Sequence, residues 1–266
     1  MIGIFDSGLG GLTALKEIRR LMPEQELIYF GDTGRVPYGP RSCETISKYA
    51  MQDMRFLTSF PVDAVVVACG TVSTTALPLL RKSFGIPIIG VVEGAAEAAV
   101  RATKTGRIAV IGTAATIRTG AFPQAILKLL PDAEVSSKAC PLFVPLVESG
   151  FVDQDDEVTL LVCRRYLESI RETGCDTLIL GCTHYPIIAP AIAKVLPGVT
   201  LINTGLEAAR KLASLPGISH AESSGIVPAP VRYYVSDDPD MFINTASVFL
   251  GGTLNGTVDK IEIDRY

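Results

Sequence analysis

The stretch VDAVVVAC at residues 62–69 decides the fold, because CDTLILGC at residues 175–182 repeats its pattern 113 residues later. Each stretch is an apolar run that ends in a cysteine, and at the same spacing Gly85 matches Gly198. Apolar runs without polar alternation are typical of parallel strands that are covered on both faces. The repeat therefore predicts two similar units, each with a strand that ends in a thiol.

Further strand-like and helix-like segments alternate along the rest of the chain. This alternation predicts an α/β fold with two similar doubly wound parallel-sheet domains, related by a pseudo-two-fold axis and separated by a cleft. We expect residues 1–94 plus 206–266 to form the first domain and residues 95–205 the second. The predicted strands are Ile2–Phe5, Leu27–Phe30, Ala64–Ala68, Ile88–Val91, Ile108–Ile111, Thr177–Leu180 and Thr200–Ile202. The predicted helices are Leu12–Leu21, Cys43–Ser59, Thr74–Lys82, Ala95–Thr103, Asp155–Thr173 and Ile187–Val195.

Composition narrows the classes of partner. The 266 residues carry 24 Lys and Arg against 28 Asp and Glu, which leaves a net charge of −4. A mildly acidic chain gives no general reason to expect nucleic acid or an anionic membrane as a partner. No apolar run approaches the roughly 18 residues of a membrane span, and no basic segment precedes the first apolar run. We therefore expect a cytoplasmic protein.

Six cysteines have to be divided between packing and chemistry. They are Cys43, Cys69, Cys140, Cys163, Cys175 and Cys182. In a reducing compartment an even count does not imply disulfides. The spacing contains no paired C-x-x-C motif, and His184 and His220 are the only imidazoles, so we expect no metal site.

The two repeated cysteines suggest a particular chemistry. Ligands of open α/β sheets bind at the carboxyl ends of the strands, where both Cys69 and Cys182 are expected. Inverting a stereocentre requires a base on one face of the carbon and an acid on the other, and a thiol can serve as either. The alternative is that both cysteines are small buried hydrophobes. The matched pair, each followed by a short polar run, favours the chemical interpretation.

Three local motifs add candidate residues. Asp6 follows the first strand and precedes a glycine-rich turn, where it could cap a helix or orient Cys69. Tyr38 is flanked by Pro37 and Gly39, which indicates a rigid turn that either packs or presents the ring. His184 lies two residues after Cys182 and could pair with its thiolate or carry its proton.

Four of these segments together resemble the glutamate racemases of the aspartate/glutamate racemase superfamily. They are FDSGLGGL at 5–12, GDTGRVPYG at 31–39, VVACGT at 66–71 and LGCTHYP at 180–186. The resemblance implies interconversion of L- and D-glutamate without a cofactor, a supply of D-glutamate for peptidoglycan synthesis, and a homodimer. It implies that Cys69 and Cys182 are the catalytic thiols, with Asp6 and His184 as their partners. The substrate-binding positions that it implies are Asp6, Ser7, Pro37, Tyr38, Gly39, Gly70, Thr71, Thr116, Glu148, Thr183 and His184.

The chain departs from the family pattern beside the first thiol. The family has Asn-Thr there, whereas this chain has Gly70-Thr71. A lost hydrogen bond to a charged group typically costs about 1.5–3 kcal/mol. We therefore weigh two alternatives: a racemase of altered substrate choice, because Gly70 enlarges the pocket, and a weakly active paralogue that acts as a binding protein. On this interpretation Gly70→Asn should raise kcat/KM for glutamate.

A second departure lies at Asn203-Thr204, where the family usually has Asp-Ser. The sequence alone does not indicate what this difference does.

Overall fold

The computed structural model describes residues 1–218 and 228–266, so His220 lies outside the described residues. Within them, parallel strands form one sheet of six and one sheet of four. In chain order the strands are β1 (Ile2–Asp6), β2 (Leu27–Gly31), β3 (Ala64–Val67), β4 (Ile88–Ile89), β5 (Arg107–Gly112), β6 (Glu134–Ala139), β7 (Thr177–Leu180), β8 (Thr200–Asn203), β9 (Val231–Val235) and β10 (Val258–Lys260).

Helices connect the strands and cover the sheets. Several begin at a side chain that accepts a backbone N–H, as where Asp156 accepts from Thr159 at 2.8 Å, which satisfies a donor that the first turn leaves unpaired. In chain order the α-helices are α1 (Leu12–Leu21), α2 (Cys43–Leu57), α3 (Gly70–Thr75), α4 (Leu77–Ser83), α5 (Val92–Ala102), α6 (Ala114–Thr119), α7 (Ala121–Leu129), α8 (Phe143–Glu148), α9 (Glu157–Arg171), α10 (Ala189–Val195), α11 (Thr204–Ala213) and α12 (Pro239–Leu250). In the part of the chain that the structure covers, no helix has the length and apolar character needed to cross a bilayer.

The strand order shows the repeat directly. The first sheet contains the order β2-β1-β3-β4, and the second sheet has the matching order β6-β5-β7-β8. Cys69 lies two residues beyond β3, and Cys182 lies two residues beyond β7, so the thiols occupy equivalent places. The predicted fold class, with two similar parallel α/β sheets, is confirmed.

The C-terminal part of the chain returns to the first sheet. β9 pairs with β2, with Leu27 opposite Val231, and β10 extends the sheet beyond β9. The second sheet is built entirely from residues 107–203. The boundaries that we predict at residues 94 and 206 fall inside α5 and α11, two helices that pack against each other.

One predicted helix is wrong. The segment Thr74–Lys82 is not continuous, because α3 ends at Thr75 and α4 begins at Leu77. Pro78 lies in the first turn of α4, where a backbone N–H would have no hydrogen-bond partner within the helix, so proline is tolerated there. A helix that ran through this position would lose a hydrogen bond, so the chain begins a new one.

Candidate active site

A cavity of about 450 Å³ lies where the carboxyl ends of the two sheets face each other. Both repeated thiols are on its wall, together with most of the side chains that the sequence singled out. The predicted residues that line it are Ser7, Pro37, Tyr38, Gly39, Cys69, Gly70, Thr71, Glu148, Cys182, Thr183 and His184. Wall residues that the sequence analysis did not select are Gly8, Val36, Pro40, Thr113, Ala114, Pro141, Val144 and Pro145.

Cys69 is held where the first sheet meets the cavity. It is the N-cap residue of α3, it is 5% exposed, and its Sγ lies 3.6 Å from the Oγ of Ser7. Burial, reinforced by the nearby carboxylate of Asp6, raises the pKa of the Cys69 thiol to about 12. Near neutral pH this residue therefore carries its proton and can act as an acid.

Cys182 has a different partner. Its Sγ lies 3.9 Å from Nδ1 of His184, and Nε2 of the same ring lies 2.9 Å from Oε1 of Glu148. Burial opposes the charge on His184, but its hydrogen bonds to Cys182 and Glu148 raise its pKa to about 10. An imidazolium beside a sulfur stabilises the thiolate, so this pair can accept a proton at Cys182.

Asp6 lies behind the wall of the cavity and is fully buried. One carboxylate oxygen accepts the N–H of Gly8 at 3.0 Å, and the other accepts the hydroxyl of Thr183 at 3.5 Å. Burial raises the pKa of Asp6, and the charge of His184 opposes that shift. The helix-cap interpretation does not hold, because α1 begins at Leu12, its N-cap residue is Gly11, and none of the described side chains caps it.

Three threonine hydroxyls join the two sheets across the cavity. Oγ1 of Thr71, at the start of α3, lies 2.9 Å from Oγ1 of Thr113, which lies 3.0 Å from Oγ1 of Thr116. Thr116 is 2% exposed and lies behind Thr113. Thr113 was not among the predicted site residues, although a threonine directly after a buried strand and three residues before another threonine is a helix-cap signal.

A buried charge network fixes the tyrosine of the predicted rigid turn. The hydroxyl of Tyr38 donates to the carboxylate of Asp32, and it lies 3.3 Å from an oxygen of Asp53. Arg35 bridges the same carboxylates, with Nε 2.6 Å from Asp32 and Nη2 2.9 Å from Asp53. Burial and the neighbouring Asp32 hold the pKa of Asp53 well above its ordinary value. The Oγ of Ser236 donates to Asp32 at 2.7 Å, which ties the network to the C-terminal part of the chain.

Gly70 does not enlarge the pocket in the way expected from sequence. A Cβ atom built at Gly70 would lie 2.3 Å from the carbonyl oxygen of Gly181. Real Cβ atoms essentially never approach another atom within 3.0 Å. The missing side chain therefore allows a backbone contact between the two sheets instead of opening space for substrate.

The wall combines two thiols, an imidazole paired with a carboxylate, and several hydroxyl groups. Among the described residues, no group of three or more His, Cys, Asp and Glu side chains could hold a metal ion. The two thiols are on segments of separate sheets, so a carbon atom between them could exchange a proton on either face.

Comparisons with known proteins agree with this geometry. The family model described as Asp/Glu/Hydantoin racemase matches residues 13–212. A curated glutamate racemase from Geobacter metallireducens is 44% identical over 264 residues, which cover 99% of this chain and 97% of the relative.

Two solved structures have the same fold over nearly their full length. A glutamate racemase isoform from Bacillus anthracis superposes with a TM-score of 0.91 at 36% identity, covering 98% of this chain and 97% of the other. A glutamate racemase from Francisella tularensis, solved in complex with D-glutamate, gives 0.90 at 37% identity, covering 100% and 98%.

Proposed function

Because the chain belongs to the Asp/Glu/hydantoin racemase family, we propose that it interconverts L- and D-glutamate without a cofactor, using Cys69 and Cys182 as its two proton-transferring groups. It is an amino-acid racemase, an enzyme of the isomerase class. One observation carries the assignment of the two thiols: they extend from equivalent strand ends of separate sheets onto the wall of one cavity.

The proton transfers balance without any further reactant. In one direction the Cys182 thiolate removes the α-proton, and the electron pair of the C–H bond stays on the α-carbon and its carboxylate. The thiol of Cys69 then delivers its proton to the opposite face, which leaves Cys182 as a thiol and Cys69 as a thiolate. The reverse reaction starts from the opposite protonation states, so each sulfur serves as both acid and base.

The unequal surroundings of the thiols support this assignment. The raised pKa of Cys69 keeps the acid form available, and His184 can donate from Nδ1 to the sulfur of Cys182. We assign Asp6 a supporting role through its field on Cys69 and its contact with Thr183. His184 and Glu148 form the supporting pair on the other side.

We assign substrate binding to the polar groups on and behind the wall. The wall carries the hydroxyl groups of Ser7, Thr71 and Thr183, which can hydrogen-bond a dicarboxylate, and hydrogen bonds to charged groups are the stronger ones. The residues that we assign to binding are Asp6, Ser7, Pro37, Tyr38, Gly39, Gly70, Thr71, Thr116, Glu148, Thr183 and His184.

Exchange of the α-proton tests the proposal directly. The protein is incubated with L-glutamate in D₂O without pyridoxal phosphate, and deuterium incorporation and loss of optical rotation are followed. We expect both to occur in the wild type and to be abolished in Cys69→Ala and in Cys182→Ala. Cys43→Ala is the matched control, because Cys43 is exposed and is not one of the residues that line the cavity. If no acidic amino acid exchanges its α-proton, the enzyme assignment fails.

The same assay separates the alternatives. Exchange with L-aspartate in preference to L-glutamate would identify a racemase of altered substrate choice. Very slow exchange with both would favour the weakly active paralogue that acts as a binding protein.

We further propose that the enzyme acts in the cytoplasm as a homodimer and supplies D-glutamate for peptidoglycan. Rescue of a bacterial strain that requires D-glutamate tests the metabolic role. Light scattering coupled to size exclusion measures the oligomeric state. Failure to restore growth, or a monomer at assay concentration, would overturn the corresponding part.

A further inference from the structure

The contact between Gly70 and Gly181 joins the two thiol-bearing segments through their backbones. Gly70 is the first residue of α3 and directly follows Cys69, whereas Gly181 directly precedes Cys182. The Cβ position at Gly70 lies 2.3 Å from the carbonyl oxygen of Gly181 and 3.8 Å from the Cα of Cys182. Both neighbours are backbone atoms, so no flexible side chain can rotate away to make room.

Neither segment is free to move alone. The N–H of Gly181 donates to the carbonyl of Ile111 at 2.7 Å, and a Cβ at Gly181 would itself lie 2.7 Å from that oxygen. On the other side, the carbonyl of Cys69 accepts the N–H of Ser73 at 2.9 Å in the first turn of α3. A displacement at the contact must therefore move a whole strand end or helix.

We propose that Gly70 is a positioning residue that sets the separation of the Cys69 and Cys182 sulfurs by allowing this backbone contact. The inference rests on the proposed function, because the separation matters for a carbon held between the two thiols. A Cβ at residue 70 needs at least 3.0 Å from the Gly181 oxygen instead of 2.3 Å. The two segments would therefore have to move apart by most of an ångström.

The proposal reverses the direction expected from sequence for Gly70→Asn. Displacements of about 1 Å in a catalytic geometry can cost roughly 10²-fold in rate. Gly70→Ala, which adds only the Cβ, should therefore lower kcat by about 10- to 100-fold while KM changes much less. Gly70→Asn carries the same Cβ and should lower kcat as well, even though it restores the residue of the family pattern.

Kinetics on matched variants test this inference. Gly70→Ala and Gly70→Asn are compared with Gly85→Ala, because none of the described residues comes within 4 Å of a Cβ at Gly85. We expect Gly85→Ala to retain the kcat and KM of the wild type. If Gly70→Ala keeps kcat within about twofold of the wild type, the positioning role is overturned.

A second measurement does not depend on catalytic activity. Thiol-reactive crosslinkers of graded length are applied in a Cys43→Ser background, since Cys43 is the exposed cysteine and the other three lie outside the cavity wall. In the parent we expect the short reagents to join Cys69 to Cys182, and in Gly70→Ala only longer ones. The inference is overturned if only long reagents join Cys69 to Cys182 in the parent. It is also overturned if a folded Gly70→Ala is crosslinked by the same lengths of reagent as the parent. If the parent has the short span but exchanges no acidic amino acid, the proposed function fails and the positional inference stands.

Discussion

Nε2 of His184 lies 2.9 Å from Oε1 of Glu148, and this pair connects the buried thiol of Cys182 to solvent. The His184 side chain is 8% exposed, whereas the Glu148 side chain is 42% exposed. The imidazole also contacts Cys182 through Nδ1, so the ring lies between the sulfur and the exposed carboxylate. The first thiol has the hydroxyl of Ser7 as its neighbour, and the two sides of the site are therefore unequal.

Removing the charge of Glu148 should weaken this connection. In Glu148→Gln the imidazolium loses one of its two stabilising partners, so the pKa of His184 should fall from about 10. We expect kcat to fall by at least about tenfold, because proton transfer by a positioned group typically contributes 10²–10⁴-fold. NMR titration of the His184 ring measures the pKa, and racemisation assays measure kcat. An unchanged ring titration would show that the carboxylate does not act on the imidazole.

The raised pKa of His184 also predicts how stability depends on pH. The folded value of about 10 exceeds the ordinary 6.5, so the protonated ring stabilises the folded protein below pH 6.5. This contribution should decline as pH rises from 6.5 towards 10, by at most about 1.4 kcal/mol per pH unit. Urea unfolding between pH 6.5 and 8.5 measures this decline in stability. The range stays below 9.0, the ordinary pKa of a cysteine thiol, so that ionisation of free thiols contributes little. The decline should be smaller in His184→Asn, and equal slopes in the two proteins would contradict the assignment.

The two buried carboxylates beneath Tyr38 should respond differently to neutralisation. The pKa of Asp53 is held well above its ordinary value, which means that its surroundings disfavour the charged form, so Asp53→Asn should cost less than about 1 kcal/mol. Asp32 accepts from Arg35, Tyr38 and Ser236 together. Asp32→Asn places an amide nitrogen against these donors and should lower the free energy of unfolding by about 3–5 kcal/mol. KM should rise as well, because Asp32 holds Tyr38, which lines the cavity. Urea unfolding and steady-state kinetics of both variants test the contrast, and equal costs would refute it.

The hydroxyl of Thr113 should matter for both stability and binding. Thr113→Val keeps the shape but loses the 2.9 Å contact with Thr71 and the cap on the N–H of Thr116. Loss of the cap alone typically costs about 1 kcal/mol. We expect a lower free energy of unfolding and a higher KM in Thr113→Val, and near wild-type values in Thr113→Ser. If the serine variant is as impaired as the valine variant, the effect comes from packing instead of the hydroxyl.

The strands beside the thiols could be predicted because their sequences are buried on both faces. β7 (Thr177–Leu180) has the predicted bounds, and β3 (Ala64–Val67) differs by one residue. β6 (Glu134–Ala139) was missed because it is a polar edge strand, partly exposed along its length, and its sequence EVSSKA carries no apolar run. β9 (Val231–Val235) was missed because its place in the sheet depends on pairing with β2, some two hundred residues earlier.

The residues of the candidate site likewise include some that local sequence predicts and others that depend on the folded chain. Residues at or near the carboxyl ends of strands, such as Asp6, Cys69 and Cys182, could be located from local patterns. Arg35 could not, because its partner Asp53 lies on α2 and only the folded chain brings them to 2.9 Å. The consequence of Gly70 was missed for the same reason, since its contact is with Gly181 of the other sheet.

The return of the C-terminal segment has a consequence for biosynthesis. β2 (Leu27–Gly31) is an interior strand of the finished sheet, with β1 on one side and β9 on the other. On the ribosome, however, its second edge stays open until Val231–Val235 has emerged, after the whole second sheet has been made. An apolar strand with an unpaired edge is a template for intermolecular pairing. The nascent chain is thus most exposed to aggregation just before its last strands leave the exit tunnel, and truncation within them should yield insoluble protein.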